Sequence, residues 1–309
     1  MNRIEDLRLF YNHTIQPELL RLEHSRRRLI QLLIFSGLSF VVIAIVTLAI
    51  NILPLTLFLC IPIAIYIAYL LRKIRAFQLR FKPYVMKLVL DFLDNDIYYG
   101  TLEYDAEKEI SKEHFQNSHL FATEATEFDG EDYIHGRIGE LMFELCELEV
   151  NEMSKVRNRV DTVFRGVFLH SKFEKEMTGD IIIIPRELKA KSMRSIKRFT
   201  RNGATEIKNQ QVHDLGFDEY FVAYASANAN VAALLSSGMQ AAILGYHERT
   251  KCAVSVSFIG SDIYVAVDEP NDLLEPFLIQ SNVSFDLILS YYEKIELLLS
   301  IVRDFDLNN

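Results

Sequence analysis

The sequence predicts an α+β protein, in which an N-terminal two-helix transmembrane hairpin is followed by an antiparallel-rich cytosolic α+β domain. Three observations lead to this prediction. Residues 29–71 contain no Asp, Glu, Lys, Arg or His. Arginines and lysines flank this run on both sides. Beyond the run, short segments rich in strand-forming residues alternate with segments of helical apolar spacing.

The uncharged run is long enough to cross a bilayer twice, because one helical span needs about 20 apolar residues. Asn51 and Pro54 interrupt the run near its middle, so we predict spans at residues 30–50 and 55–71. Lipid offers no hydrogen-bond partners to the backbone, and both spans must therefore be helical. The alternative is a buried core hairpin of a soluble protein, but such helices rarely run this far without one charge.

Basic residues mark both ends of the predicted hairpin, whereas the link between the spans carries no charge. Because positive residues remain on the cytoplasmic side, we predict a multi-pass protein of the cell inner (plasma) membrane with both termini in the cytoplasm. The short link leaves too little chain on the far side for an external ligand site. The predicted juxtamembrane basic anchor consists of Arg26, Arg27, Arg28, Arg72, Lys73 and Arg75.

Composition limits the classes of function. The formal net charge is -9, and an acidic body of this kind disfavours nucleic-acid binding. The 3 cysteines, Cys60, Cys146 and Cys252, are far apart and form no CxxC motif. They indicate a reducing compartment and predict neither a disulfide framework nor a zinc motif.

The same patterns divide the chain into four parts. These are a cytosolic helical segment at residues 1–28, the hairpin at 29–72, a juxtamembrane stalk helix at 73–97 and the cytosolic α+β domain at 98–309. Within the first part we predict that Pro17 starts a second helical piece. Within the third, Pro83 is expected to mark a restart of the helix.

The α+β domain is predicted to begin with a strand and a short helix. Residues 97–104 are rich in strand formers, residues 111–121 form the helix, and Ser111 is its candidate N-cap. Residues 122–170 are expected to be mostly extended, with residues 127–140 as a strand edge with tight turns. Further strands are predicted at 162–170, 180–185, 217–225, 252–259 and 262–268, a helix at 227–246 broken at Ser237 and Gly238, and a closing helix at 284–305.

The patterns at residues 140–150, at residues 260–261 and in the closing helix predict further details of the domain. Residues 140–150 are of helix-favouring types, but they alternate, and a β-bulge between Leu145 and Cys146 would accommodate a slip in the alternation; we predict a strand. Gly260 and Ser261 separate two alternating strands, which predicts a hairpin with a type II′ turn. The closing helix carries one apolar stripe, which we expect to pack on the sheet.

Several short motifs, in the order in which they occur along the chain, resemble those of a bacterial family catalogued as domain of unknown function 3137. They are IQPELLRLEHSR at 15–26, SHLF at 118–121, GEDYIHGRIG at 130–139, FRGVF at 164–168 and FDEYFVAYA at 217–225, followed by the strand hairpin and the closing helix. The resemblance implies an inner-membrane protein with a cytosolic domain. It supplies no catalytic residue.

One acidic turn contains residues of metal-ligand type. Glu131, Asp132 and His135 lie close together in the sequence and could bind a metal with His170 or Asp180. The alternative is an exposed acidic turn between strands, which we favour because spacing alone does not show convergence. The glycines nearby are not followed by GK[ST], and no GxSxG motif occurs. We therefore predict no catalytic residue, no cofactor and no metal.

A basic segment at residues 186–201 stands out in the acidic body. It holds a single acid, Glu187. Such a segment is typical of a site for anionic lipid head groups or for an acidic partner, although a solvated helix face has the same composition. The candidate binding residues are Lys189, Lys191, Arg194, Lys197, Arg198 and Arg201.

Three functional hypotheses follow. The first is a membrane-anchored cytosolic binding or scaffold module that engages a protein partner or anionic lipid at the inner leaflet, and no nucleic acid. The second is a membrane-associated hydrolase or transferase with a site between Glu131 and His135. The third is a small transporter subunit, or an oligomer formed through the spans, in which Ala64 and Ala68 pack against a neighbouring helix.

Overall fold

The computed structural model describes residues 3–50, 53–95, 99–154, 158–173, 178–207, 216–269, 281 and 283–307. The chain divides into two compact units. The first consists of Met1–Val89 with Leu274–Ser290, and the second of Leu90–Leu273 with Tyr291–Asn309.

The first unit begins with a helix that continues through a proline. Helix α1 (Arg3–Phe10) runs through a π-helical turn (Tyr11–Ile15) into α2 (Gln16–Ala49). Pro17 has no N–H, and in a regular α-helix its ring would meet the carbonyl four residues earlier. The wider π-helical turn lies directly before it, with the Gln16 N–H donating to the Tyr11 carbonyl. The second helical piece predicted at Pro17 is therefore a continuation of the first.

Helix α3 (Leu53–Asp94) is longer than predicted. Pro54 lies in its first turn, where backbone N–H groups have no partner within the helix, so the missing N–H of proline costs no hydrogen bond. Pro62 and Pro83 lie inside it, and the helix runs through both, so the predicted restart at Pro83 is wrong. Each proline removes one backbone hydrogen bond, which a helix of 42 residues tolerates. Asn51, predicted as part of the interruption, lies outside the described residues.

Two described helices are long and apolar enough to cross a membrane by length and composition, one over Arg3–Thr47 and one over Thr56–Asp94. Their large apolar side chains point outward: Phe35 is 72% exposed, Phe58 76% and Ile65 66%. Contiguous exposed apolar surface is typical of helices that meet lipid or an apolar partner.

The second unit is built on one sheet. Its strands are β1 (Glu103–Asp105), β2 (Glu127–Ile138), β3 (Leu141–Ser154), β4 (Arg159–Lys172), β5 (Ile181–Pro185), β6 (Thr205–Glu206), β7 (Phe221–Ala225), β8 (Ala253–Ile259) and β9 (Asp262–Asp268). The strands follow the order β1-β2-β3-β4-β9-β8-β5-β7-β6. Every pairing between these described strands is antiparallel, which confirms the predicted antiparallel α+β class.

The described residues form six further helices: α4 (Lys112–Asn117), α5 (Met193–Thr200), α6 (Phe217–Tyr220), α7 (Val231–Leu234), α8 (Ser237–Thr250) and α9 (Phe285–Leu307). The predicted cap of α4 is confirmed, since the Ser111 hydroxyl accepts from the His114 N–H. The strand predicted from residue 217 begins only at Phe221. Gly216 takes φ +73°, and the turn it makes leads into the short helix α6.

The helix predicted at residues 227–246 is interrupted, as expected, but slightly earlier than expected. Leu235 and Ser236 separate α7 from α8. The Ser236 hydroxyl accepts from the Met239 N–H and so caps the second helix, which is why the new helix begins at Ser237.

Residues 140–150 are strand, as predicted, but the bulge lies elsewhere. In its pairing with β4, strand β3 runs through Leu145 and Cys146 without a register shift, and both side chains are buried, on opposite faces of the sheet. The extra residue is in β2, between Glu131 and Ile134 and opposite Cys146, and Asp132 there takes φ +57°. The slip in the apolar pattern therefore reflects burial of both faces and not a bulge in β3.

The hairpin of β8 and β9 is confirmed. Ile259 pairs with Asp262, Gly260 takes φ +62° and Ser261 does not take a positive φ, which is the pattern of a type II′ turn. In α9 the expected stripe is buried from Ile288 to Val302. The Tyr292 ring contacts Phe92 of α3, and packing of this stripe on the sheet stays a prediction.

Two apolar clusters lie on one face of the sheet. The Phe115 side chain of α4 packs into the first, over β3, β4 and β9. Ile196 and Phe199 of α5 pack into the second, over β5 and β7. The register places one row of side chains across this face, from Tyr224 through Ile182, Ser257, Tyr264, His170 and Glu144 to His135.

We expect Gly166→Ala to destabilise the second unit. Gly166 takes φ +148°, and an added Cβ would collide with the Val267 carbonyl oxygen of β9. Overpacking and backbone strain together should lower the free energy of unfolding by about 2–4 kcal/mol. The measurement is thermal unfolding of the full chain in detergent, monitored by circular dichroism.

The matched control is Gly245→Ala in α8. Nothing lies within 4 Å of the added Cβ, and alanine favours a helix interior over glycine by about 1 kcal/mol. This variant should melt at or slightly above the wild-type temperature. Equal melting temperatures for the two variants would contradict the assigned β4–β9 contact.

Candidate functional site

The basic segment folds into an amphipathic arrangement beside β5. A 3₁₀ turn (Arg186–Leu188) follows the strand, and α5 follows that turn. The buried side of α5 carries Ser195, Ile196 and Phe199. Its apolar face is used against the sheet, so the basic side chains are left on the outer surface.

The predicted basic residues are not equivalent. Lys189 Nζ lies 3.1 Å from Glu206 Oε2, and Arg194 Nη1 lies 3.3 Å from Glu152 Oε1. Their charges are therefore partly compensated. The remaining four, Lys191, Lys197, Arg198 and Arg201, are exposed and form no ion pair with a described residue.

Part of the segment lines a cavity of about 650 Å³ in the second unit. Lys191, Arg194 and Arg198 contribute to its wall, whereas Lys197 and Arg201 do not. Carboxylates and hydroxyls complete the polar lining, namely Glu124, Glu152, Asp161, Asp268, Thr123, Ser154, Thr162, Ser192, Ser195 and Ser255. The fold thus separates the segment into a part that faces a cavity and a part that faces outward.

Burial shifts the pKa values of two titratable groups in or near this cavity. Burial raises the pKa of the Asp268 carboxyl, and Glu187 adds to the rise while Lys191 opposes it. Near the cavity, burial and the neighbouring Arg198 charge lower the pKa of His119, so its imidazole favours the neutral form. His119 was not predicted as a site residue, and its position depends on a backbone φ of +57° that no local motif indicated.

A second polar group lies on the same face of the sheet, next to α4. Glu144 Oε1 lies 2.6 Å from His114 Nδ1 and 3.0 Å from His170 Nδ1. The Tyr133 hydroxyl donates to Glu144 Oε2 at 2.6 Å, and His170 Nε2 lies 2.8 Å from Asp262 Oδ1. We call these five residues the histidine–carboxylate cluster.

Hydrogen bonds within the cluster outweigh the effect of burial. Burial alone would raise the pKa of the Glu144 carboxyl, but hydrogen bonds with His170, Tyr133 and His114 lower it to about 2. Burial would lower the pKa of His170, but its bonds to Glu144 and Asp262 raise it. The carboxylate form of Glu144 is therefore strongly favoured, which suits it to interact with a cation.

In the described part of the chain, Glu131, Asp132 and His135 do not belong to a convergent group of metal-ligand type. The Tyr104 hydroxyl donates to the buried Asp132 carboxylate at 2.5 Å. Asp180 accepts from the Gly260 N–H in the hairpin turn. Among the described residues, the side chains of ligand type that converge are His114, Glu144 and His170, so His170 alone of the predicted set is included.

Sequence reasoning missed His114 and Glu144 because their neighbours in the cluster are distant in the chain. His114 is 30 residues from Glu144, and His170 is 26 residues from it. The only signal was the alternation of residues 140–150, which places Glu144 on a strand without saying which residue lies opposite.

The predicted juxtamembrane anchor in the first unit is partly neutralised. Arg26 is buried, and its guanidinium contacts Glu23 at 2.6 Å, while Arg27 contacts the same carboxylate at 2.9 Å. Arg28 is exposed. After the second predicted span, Arg72, Lys73 and Arg75 are also exposed, so the available positive charge lies mainly at those positions.

The described residues define an α+β protein with two candidate membrane-spanning helices and an antiparallel sheet. Residues 162–307 match the profile of a family described as "Protein of unknown function (DUF3137)". The match runs from β4 into α9 and confirms the resemblance to that family for this part of the chain. It includes the basic segment and His170, whereas His114 and Glu144 lie outside it. No curated protein and no solved structure gives a significant match.

We expect Asp268→Asn to stabilise the protein near neutral pH. Because burial raises the pKa of Asp268, folding favours its protonated form, and the stability of the wild type falls as the pH rises through that pKa. The variant lacks this penalty. It should melt above the wild type at pH 7, and the two should converge once the pH is below the ordinary carboxyl range. A variant that melts lower at pH 7 would show that the attraction to Lys191 dominates.

Proposed function

We propose that this protein is a membrane-anchored cytosolic binding module that captures an anionic group at the inner leaflet. The anionic group belongs to a lipid head group or to an acidic segment of a protein partner. The observation that carries the proposal is the cavity lined by Lys191, Arg194 and Arg198.

The dimensions of the cavity and the cations in its wall support an anionic occupant. Its volume of about 650 Å³ is in the range of small-molecule pockets, which is roughly 300–1,000 Å³. Guanidinium groups and lysines with adjacent hydroxyls suit phosphate and carboxylate oxygens. Glu152 already engages Arg194, so Lys191 and Arg198 remain as the cations most available to a ligand.

The packing of α5 supports electrostatic contact over insertion into a bilayer. An interfacial amphipathic helix would need its apolar face for the lipid. Here Ile196 and Phe199 are buried against the sheet, and only the charged side of the helix is available. Binding should therefore weaken with salt, because the Debye length shrinks as ionic strength rises.

Anchoring by the two apolar helices supports the cellular location in the proposal. Two spans flanked by exposed positive charge would place both termini in the cytoplasm of the cell that makes the protein, at its inner (plasma) membrane. Ala64 and Ala68 are exposed, so they remain available for contact with a neighbouring span or a second copy of the chain.

A double charge reversal in the cavity tests the proposed site. Lys191→Glu with Arg198→Glu should reduce capture of the anionic ligand at least tenfold, because two available cations become repulsive. The measurement uses full chain in nanodiscs of neutral lipid, titrated with vesicles containing phosphatidylserine and with inorganic phosphate.

The matched control changes the same number of charges outside the cavity. Lys197→Glu with Arg201→Glu alters the same basic segment, but these residues do not line the cavity. We expect at most a twofold loss. If both pairs reduce binding equally, the segment acts as a diffuse surface charge; if neither does, it is a solvated helix face. A loss of capture from vesicles alone favours lipid, and a loss for phosphate as well indicates a pocket for a small anion.

Membrane anchoring is tested separately. Alkaline carbonate extraction of cell membranes should leave the full chain in the pellet, because two apolar helices are not released by removal of electrostatic contacts. A variant with Ile45→Lys and Ile65→Lys introduces one charge into each predicted span, and it should appear increasingly in the soluble or aggregated fraction. Release of the wild type by carbonate would overturn the anchoring.

A further inference from the structure

The histidine–carboxylate cluster has the composition and arrangement of a metal centre, and it is separate from the anionic pocket. We infer that His114, Glu144 and His170 bind a divalent transition-metal ion of the Zn²⁺ type.

Side chains of ligand type from three elements converge at this cluster. One ligand atom from each residue lies within 4.8 Å of the others, on three different elements: α4, β3 and β4. Glu144 and His170 are directly paired in the β3–β4 ladder, so their side chains share a face. His114 is brought over that face because the next residue of α4, Phe115, is fully buried in the apolar cluster beneath.

The ring nitrogens of both histidines point to one carboxylate. Both histidines present Nδ1 to the same carboxylate oxygen, at 2.6 Å and 3.0 Å. Tetrahedral zinc with bonds of about 2.0–2.1 Å separates its ligand atoms by roughly 3.3 Å. Relative to the Glu144 oxygen, the two nitrogens need to move outward by roughly 0.3–0.7 Å to surround an ion. The two rings also lie close together, with centroids 4.1 Å apart.

An outer layer of contacts holds the candidate ligands in place. Metal-bound histidines commonly donate their other ring N–H to a carboxylate, which fixes the tautomer and the ring orientation. His170 does this with Asp262 at 2.8 Å, and its ring stacks on Tyr264. The second oxygen of Glu144 is held by the Tyr133 hydroxyl at 2.6 Å. The bulge in β2 places Tyr133 next to that oxygen.

The cluster is accessible from solvent on the side of His114. Three protein ligands leave one tetrahedral position open, as in sites that accept water or an exogenous ligand. The side chain of His114 is 37% exposed, whereas those of Glu144 and His170 are 20% and 11% exposed. An ion can therefore enter beside α4 and remain reachable from solvent. Imidazole with one carboxylate suits Zn²⁺ better than Mg²⁺ or Ca²⁺, which prefer oxygen ligands.

The experiment is metal titration of the detergent-purified full chain after EDTA treatment and dialysis. Zn²⁺ affinity is measured by competition with a chromogenic chelator, and Co²⁺ is added separately because its visible absorption reports tetrahedral coordination. We expect one equivalent of bound metal in the wild type and a higher melting temperature in its presence.

Four variants decide the assignment. His114→Ala and Glu144→Gln should each reduce Zn²⁺ affinity by at least 100-fold and remove the tetrahedral Co²⁺ spectrum. Asp262→Asn should reduce affinity about 10–100-fold, as expected of an outer-layer partner. His135→Ala is the matched control: His135 lies opposite Glu144 in the register but outside the converging group, and its loss should leave affinity unchanged.

Substitutions at Glu144 or His170 could prevent folding, because these side chains are largely buried. His114 is the most exposed of the three candidate ligands, so His114→Ala should leave the fold intact and keeps the test decisive. Wild type that binds no Zn²⁺ or Co²⁺ above background would overturn the inference. So would unchanged binding in folded His114→Ala protein, or a loss in His135→Ala equal to that in His114→Ala. The cluster would then be a hydrogen-bonded group that holds α4 on the sheet.

Discussion

The antiparallel register of the sheet is the constraint on which both candidate sites depend. Residues directly opposite each other on neighbouring strands share a face, and a slip of one residue would move a whole strand's side chains to the other face. The register aligns one row across the sheet. At one end of the row, α5 packs on the side chains of Ile182 and Tyr224. Toward the other end, His170 and Glu144 form a polar group beside α4.

The short helices α4 and α5 each place one further side chain beside this row and so complete the two candidate sites. Isolated helices of six to eight residues are unstable in water, so α4 and α5 exist because of the side chains they bury. Burial of one phenylalanine contributes about 1.5–3 kcal/mol, and Phe115 and Phe199 are the aromatic anchors. Each anchor adjoins a polar residue of its site, so apolar packing fixes where His114 and Arg198 lie.

Local signals in the sequence predicted much of the fold. The alternation of residues 162–170, the cap at Ser111 and the turn at Gly260 depend on neighbours within a few positions, and all three are present in the structure. Two predictions failed. The helix continues through Pro83, so this proline does not end it. The bulge lies in β2 opposite Cys146 and not in β3, where Leu145 and Cys146 are both buried, because local alternation does not show which strand carries the extra residue.

The candidate membrane helices and the basic segment are recognisable from the amino-acid sequence, because a run without charge and a cluster of like charges are properties of composition along the chain. Which of those charges line a cavity is visible only in the folded protein, since it depends on which side of α5 is buried. The meeting of His114, Glu144 and His170 is likewise visible only there. Their proximity comes from strand pairing and from the docking of α4, and the sequence encodes these only through packing between residues far apart in the chain.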